Sequence, residues 1–183
     1  MMFVVLMAFL AAQRILELAL AERNRRWAIK QGGKEGGRWH YPLIVGMHVF
    51  FYLSLVLEHT YLSRGWNILW PLWLGIFLLA QGLRVWSILS LGRLWNTRII
   101  VIPGLKPVVR GPYRRIRHPI YVAVVVELLV IPIMCGAYFT AALFSALNAL
   151  ALRIRVREEE RALERAAGAD LERVPRFLPS LRG

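Results

Sequence analysis

Cysteine is almost missing from this chain. Cys135 stands alone, which excludes a disulfide framework and any cysteine-based metal site. No second histidine stands at metal-like spacing from His48. Acids are few, 11 against 24 lysines and arginines, and of those cations only Lys30, Lys34 and Lys106 are lysine. The arginine bias points to a GC-rich genome and is silent on function. No Gly-x-Gly-x-x-Gly fingerprint follows a strand-like run, so nothing marks a Rossmann sheet. What the chain has is apolar length. Of its 183 residues 57% are hydrophobic, and the mean hydropathy is +0.48. That is too apolar for an ordinary soluble domain. The net charge of +13 sits between the apolar runs, so it suits anionic lipid head groups better than nucleic acid.

The pattern predicts an all-α integral membrane protein of about five transmembrane helices. The first covers about residues 2–22, without the positive leader of a secretory signal. The second covers about 41–62 and the third about 68–91. The fourth starts at Pro119 and runs to about Met134. The fifth runs from about Tyr138 through Leu152 and continues as a charged helix to about Ala167, with Gly168 as its stop. Spans four and five form a tight hairpin around Cys135-Gly136-Ala137 and are short for full crossings, so one is expected to tilt or sit within the protein. An N-terminal three-helix region, 1–92, and a region 93–183 of connector, hairpin and C-terminal helix make one structural domain. Basic residues crowd loop 23–40, connector 93–117 and tail 153–183, whereas the other loops carry only Arg64. Five spans put those three segments on one side, and the positive-inside rule makes that side cytoplasmic, with the N-terminus outside.

Ionisable groups at membrane depth are functional candidates by default. Arg14 and Glu17, three apart on span one, are expected to neutralise each other. His48 reads as a hydrogen-bonded interior histidine, and Glu58 and His59 as wet residues near the outer end of span two. Gln81, Arg84 and Ser87 recur on one face of span three and look inward. Glu127 and Asn148 are expected to pair across the hairpin, a substrate-facing Glu127 being the alternative. Asn148, Leu152, Arg155 and Glu159 follow i, i+4, i+7, i+11 spacing and share a helix face. Arg155 and Glu159 read either as a solvated salt bridge of little worth or as functional groups at the membrane–cytosol boundary.

The connector is rich in proline and glycine, which predicts a folded, non-helical cytosolic cap. Pro119 suits the first turn of span four. His118 then sits at a helix N-terminus, whose dipole disfavours a protonated imidazole and whose free N–H groups suit a carboxylate or another polar ligand group. Tyr121 follows one turn on.

Two motifs carry a resemblance. Arg117-His118-Pro119-Ile120-Tyr121, followed by Arg155-Val156-Arg157-Glu158-Glu159-Glu160-Arg161-Ala162-Leu163, resembles the isoprenylcysteine carboxyl methyltransferase family over about residues 90–180. Arg110-Gly111-Pro112-Tyr113 and the late Val174-Pro175-Arg176-Phe177-Leu178-Pro179 belong to the likeness. It implies a membrane enzyme that takes a methyl group from S-adenosylmethionine, leaving S-adenosylhomocysteine, with no metal. By matching position Val109, Gly111, Tyr113, His118, Pro119, Tyr121, Glu159 and Leu163 should touch the cofactor, and Arg155 and Glu159 should lie at the reacting end. Glu127, Asn148, Leu152 and Arg84 are the candidates for the acceptor side. Two departures stand out. Ala123 replaces the glycine usual after Arg-His-Pro-x-Tyr-x, and the aromatic tail of relatives is shortened to Ala167-Gly168-Ala169-Asp170-Leu171.

The family name implies a prenylcysteine carboxylate as acceptor. For a bacterial source, with the protein in the inner membrane, the resemblance points instead to lipid-tailed phenols or pyrones. A lipophilic small molecule is favoured over a prenylated protein. The rivals are a phospholipid N-methyltransferase, a sterol-type membrane reductase using a reduced nicotinamide nucleotide, and a non-catalytic membrane scaffold. Reductases of that type are usually longer than 183 residues.

Overall fold

The computed structural model describes residues 1–37, 39–62, 65–167 and Phe177. It is an all-α membrane protein. The helices are α1 (Met2–Lys30), α2 (Tyr41–Tyr61), α3 (Trp70–Leu91), α4 (Pro119–Met134) and α5 (Tyr138–Ala167). Short 3-10 turns occupy Gly92–Leu94 and Gly111–Arg114. Proline stands in the first turn of α2, α3 and α4, where a missing N–H costs nothing. Among the described residues, four helices are long and apolar enough to cross a bilayer. The fifth expected span, α4, has 16 residues, about 24 Å at the α-helical rise, and is short of a full crossing. It buries Tyr121, Ala123, Leu128, Val130, Ile131 and Met134 among the other helices. It therefore sits within the protein, as the length of its apolar run suggested.

Two features of the basic end differ from expectation. Loop 23–40 begins as helix: α1 runs on to Lys30, steadied by pairs from Glu22 to Arg25 and Arg26. Asn24 donates to the Trp95 carbonyl at 2.8 Å and Asn96 to the Ala21 carbonyl at 2.9 Å. The loop and the connector are then stitched by β1 (Lys34–Gly36) and β2 (Ile99–Val101), antiparallel, with Lys34 opposite Val101 and Gly36 opposite Ile99. Strands of three residues leave no period to read in a sequence. The Gly104 amide donates to the Ala166 carbonyl at 3.0 Å, which brings the end of α5 to the same place. All three basic segments thus meet at one end. Gly168 and most of the shortened tail lie outside the described residues.

At the other end the hairpin is tied rather than loosely wetted. Glu58 caps α5, accepting from the amides of Phe139 and Thr140 at 2.9 and 2.7 Å and from the Thr140 hydroxyl at 2.6 Å. A carboxylate suits a helix N-terminus. His59 lies 2.9 Å from the Cys135 carbonyl and stacks on Phe3. Glu58 and His59 are thus structural, not merely wet.

Between the two ends, the charges inside the bundle make one neutral quartet. Arg14 meets Glu17 and Glu127, each at 2.7 Å. Arg84 meets Glu17 at 3.3 Å and forms a close ion pair with Glu127. Gln13 adds hydrogen bonds to Glu17 and Gln81. The expected Arg14–Glu17 pair is therefore half of a larger set. The expected Glu127–Asn148 pairing gives way, because both Glu127 oxygens go to guanidinium groups. Two arginines in lipid need two carboxylates nearby, and one i, i+3 pair leaves Arg84 uncompensated. Gln81, Arg84 and Ser87 face inward as expected, and His48 bonds the Ile44 carbonyl at 2.8 Å.

Arg84 and Glu127 are 3% and 2% exposed. Glu127→Leu leaves Arg14 and Arg84 to share Glu17, with one buried positive charge uncompensated, and is expected to cost about 3–5 kcal/mol, read as a lower melting temperature in detergent. Adding Arg84→Met should restore much of that loss. Equal stability of Glu127→Leu and the parent would show the quartet to be idle.

Candidate active site

The site is built where the start of α4 meets the charged half of α5. Gly111 turns at φ +58, and a Cβ there would stand 2.1 Å from the Ser90 hydroxyl and 3.1 Å from the Trp86 indole nitrogen. Only glycine lets the connector lie so close to α3. That contact delivers Tyr113 to the neighbourhood of Ser87. Burial pushes the Tyr113 hydroxyl above its ordinary pKa, Glu159 and Tyr121 push further, and Ser87 opposes them. The phenol is neutral at any physiological pH.

His118 caps α4 at its N-terminus and Pro119 follows. The His118 ring stacks on Tyr121, centroids 5.2 Å apart and 15° between planes. Phe177, from the late Val-Pro-Arg-Phe stretch, comes within 6.0 Å of the same imidazole. The His118 Nε2 lies 3.3 Å from a Glu160 oxygen, which also takes Arg117 at 3.0 Å. Glu160, buried on α5, is a site residue that sequence reasoning missed. In a run of three glutamates nothing but the helix phase separates it from its neighbours.

Tyr121 joins the two motifs. Its hydroxyl accepts from Arg155 Nε at 2.7 Å and donates to Glu159 in a close hydrogen bond. The Arg155 guanidinium carbon lies 5.6 Å from the Tyr121 ring centroid, within cation–π range. Arg155 also donates through Nη2 to the Thr97 carbonyl at 2.6 Å. A backbone oxygen has no sequence signature, so Thr97 could not be foreseen. The i, i+4 relation of Arg155 and Glu159 is real, but the two are bridged through tyrosine. Arg155 is buried and Glu159 half-buried, so the reading as a solvated surface pair falls.

The other expected residues lie at varied distances. Asn148 is buried and Leu152 half-buried on the inward face shared with Arg155. Leu163 is half-buried one turn beyond Glu159. Glu127 and Arg84 belong to the quartet, and Glu127 is six residues along α4 from Tyr121, about 9 Å of helix. Val109 stands 64% exposed at the edge. Ala123 is fully buried in α4.

Tyr121→Phe removes the bridge and leaves Arg155 Nε and a Glu159 oxygen short of a partner. The expected cost is about 1–3 kcal/mol, measured by thermal melting, with helical content unchanged by circular dichroism. An unshifted melt would mean the hydroxyl is dispensable to the site's build.

The isoprenylcysteine carboxyl methyltransferase family model matches residues 73–165, which takes in most of α3, the connector, α4 and most of α5. The chain is 42% identical over 163 residues to an uncharacterized protein, YpbQ, of Bacillus subtilis, covering 89% of this chain and 97% of that one. It is 25% identical over 157 residues to an uncharacterized protein of Haemophilus influenzae, covering 85% and 91%. Two paired motifs brought to one tyrosine, and a family match that spans both, make this chain a member of the isoprenylcysteine carboxyl methyltransferase family, a membrane methyltransferase.

Proposed function

We propose that the chain transfers a methyl group from S-adenosylmethionine to an oxygen of a lipophilic acceptor. The observation that carries this reading is the Arg155–Tyr121–Glu159 junction beside the stacked His118 ring. The residues fit such a cofactor. Tyr121, His118 and Phe177 offer aromatic surface to a flat heterocycle. Glu159 and Glu160 offer carboxylates to a cation, and the buried setting excludes water. S-adenosylmethionine, when bound, supplies an electrophilic methyl group on sulfur.

The chain's own contribution is placement and a dry site. Tyr121 and Thr97 hold Arg155 from two sides, so its guanidinium is oriented before an acceptor arrives. A guanidinium fork suits an anionic oxygen. Contact stronger than positioning requires would favour the ground state and slow transfer. Glu159, anchored through Tyr121, steadies that arrangement. The lipid-facing helices favour an acceptor that comes from the bilayer. A lipid-tailed phenol or pyrone, rather than a prenylcysteine carboxylate, is the acceptor class we favour. Both of the relatives above are bacterial, which agrees with a bacterial inner-membrane enzyme whose basic end faces the cytoplasm.

Calorimetric titration with S-adenosylhomocysteine should give saturable binding to the purified protein. His118→Ala should weaken it about tenfold, or about 1.4 kcal/mol. Absence of binding to folded protein would refute the cofactor. Glu159→Gln should abolish turnover while the melting temperature holds within about 1 kcal/mol of stability. Normal turnover in that variant would remove Glu159 from the site.

A further inference from the structure

A cleft at the basic end lies outside the α4–α5 junction. It holds about 240 Å³ and opens where the end of α1, the start of α2 and the connector meet. That is below the roughly 300–1,000 Å³ of sites that enclose a drug-sized ligand, so it suits a head group and not a whole molecule. Leu18 and Ala21, from the last apolar turn of the first span, form its apolar side. Arg25 of α1, Tyr41 of α2 and Thr97 and Arg98 of the connector line the rest, beside Glu22 and Asn96.

The polar wall is fixed in place yet keeps donors to spare. Asn96 is saturated, its amide donating to the Ala21 carbonyl and its oxygen accepting from the Arg98 N–H. Arg98 donates through Nη1 to Glu35 at 2.7 Å, and its guanidinium carbon stands 4.4 Å from the centroid of the Tyr41 ring, within cation–π range. Arg25 gives Nε and Nη2 to Glu22. Arg25 Nη1 and Arg98 Nε and Nη2 then have no hydrogen-bond partner among the described residues, and the two side chains are 34% and 38% exposed. The Tyr41 and Thr97 hydroxyls lie 3.3 Å apart, so one donates to the other and one proton is left for a ligand. The ion pairs around the cleft set Arg25, Arg26 and Arg98 against Glu22 and Glu35, which leaves a surplus of one positive charge.

We propose that this cleft binds the phosphodiester of an anionic membrane lipid, with Arg25 and Arg98 on the phosphate oxygens and the acyl chains running along Leu18 and Ala21. A phosphodiester carries the one negative charge that the wall lacks, and guanidinium forks suit its oxygens. Basic pockets between spans on the cytoplasmic side take lipid head groups by this chemistry. Phosphatidylcholine has the same phosphodiester, but its ammonium group meets the surplus positive charge and offsets the gain. The site needs no cofactor, so it stands apart from the methyltransferase reading. A lipid held there ties α1 to the connector turn at Thr97, whose carbonyl also holds Arg155.

The test uses the full chain, stripped of lipid in a nonionic detergent. It is titrated with dioctanoyl phosphatidylglycerol or dioctanoyl phosphatidylcholine, and bound lipid is counted by native mass spectrometry. A nonionic micelle has no charged surface to draw basic residues at large, so retention reports a site. Phosphatidylglycerol should bind about tenfold more tightly than phosphatidylcholine, and Arg25→Gln and Arg98→Gln should each weaken it about fivefold. Arg115→Gln, which removes an exposed charge outside the cleft, should leave its affinity unchanged. Phosphatidylglycerol should also raise the melting midpoint of the wild type and not that of Arg98→Gln. Equal retention of the two lipids by the wild type would overturn the proposal, as would an equal loss of affinity in all three variants. Excess glycerol 3-phosphate should leave the lipid bound; full displacement would assign the cleft to a soluble phosphate instead. The wild-type comparisons decide the matter even where a variant fails to fold.

Discussion

Two arginines and two glutamates inside the bundle cannot be left to lipid, and the fold is arranged around that constraint. Arg14 and Glu17 come from α1, Arg84 from α3 and Glu127 from α4. Each carboxylate meets both arginines, so removing any member strands a charge where no water can screen it. The quartet fixes α1 against α3 and α4 more sharply than apolar contact does, since lipid tails and leucines are alike to one another. It also sets the phase of α4. With Glu127 turned toward Arg84, Tyr121 is carried at the basic end to where Arg155 can reach it.

The basic end is organised by a second set of ties, made largely through the backbone. Asn24 and Asn96 lock α1 to the connector, the short β1–β2 pair joins loop to connector, and Gly104 meets the end of α5. Arg155 lies where these parts converge, held by the Tyr121 hydroxyl and the Thr97 carbonyl. An arginine held in this way from two sides has little side-chain freedom left to lose. The rings of His118, Tyr121 and Phe177 and the carboxylates of Glu159 and Glu160 gather at the α4–α5 junction. Tyr41 and the Thr97 hydroxyl meet at the connector and the start of α2.

Sequence and structure agree where the physics is local. Apolar runs predicted α2, α3 and, from Pro119, α4 within a residue or two, and α5 with its charged extension. The His-Pro step marked the start of α4, and helix phase put Arg155 with Asn148 on one face, which the structure buries. The charge of the loops showed which segments share an end. The paired motifs were enough to suggest a family from about half of the chain. These follow from composition, period and capping, which act over a few residues.

The structure alone decided partners across the fold. Glu127 meets Arg84 rather than Asn148, Glu58 caps a helix that begins 80 residues later, and Glu160 rather than Glu159 faces His118. The β1–β2 pair is too short to leave a period, and the Thr97 carbonyl carries no side-chain signal. Sequence by itself determined the membrane class, the helices and the two motifs, because each rests on neighbours along the chain. Which charges pair across the helices, and which ring faces Arg155, depended on how five helices pack, since those contacts join residues 34 to 113 positions apart.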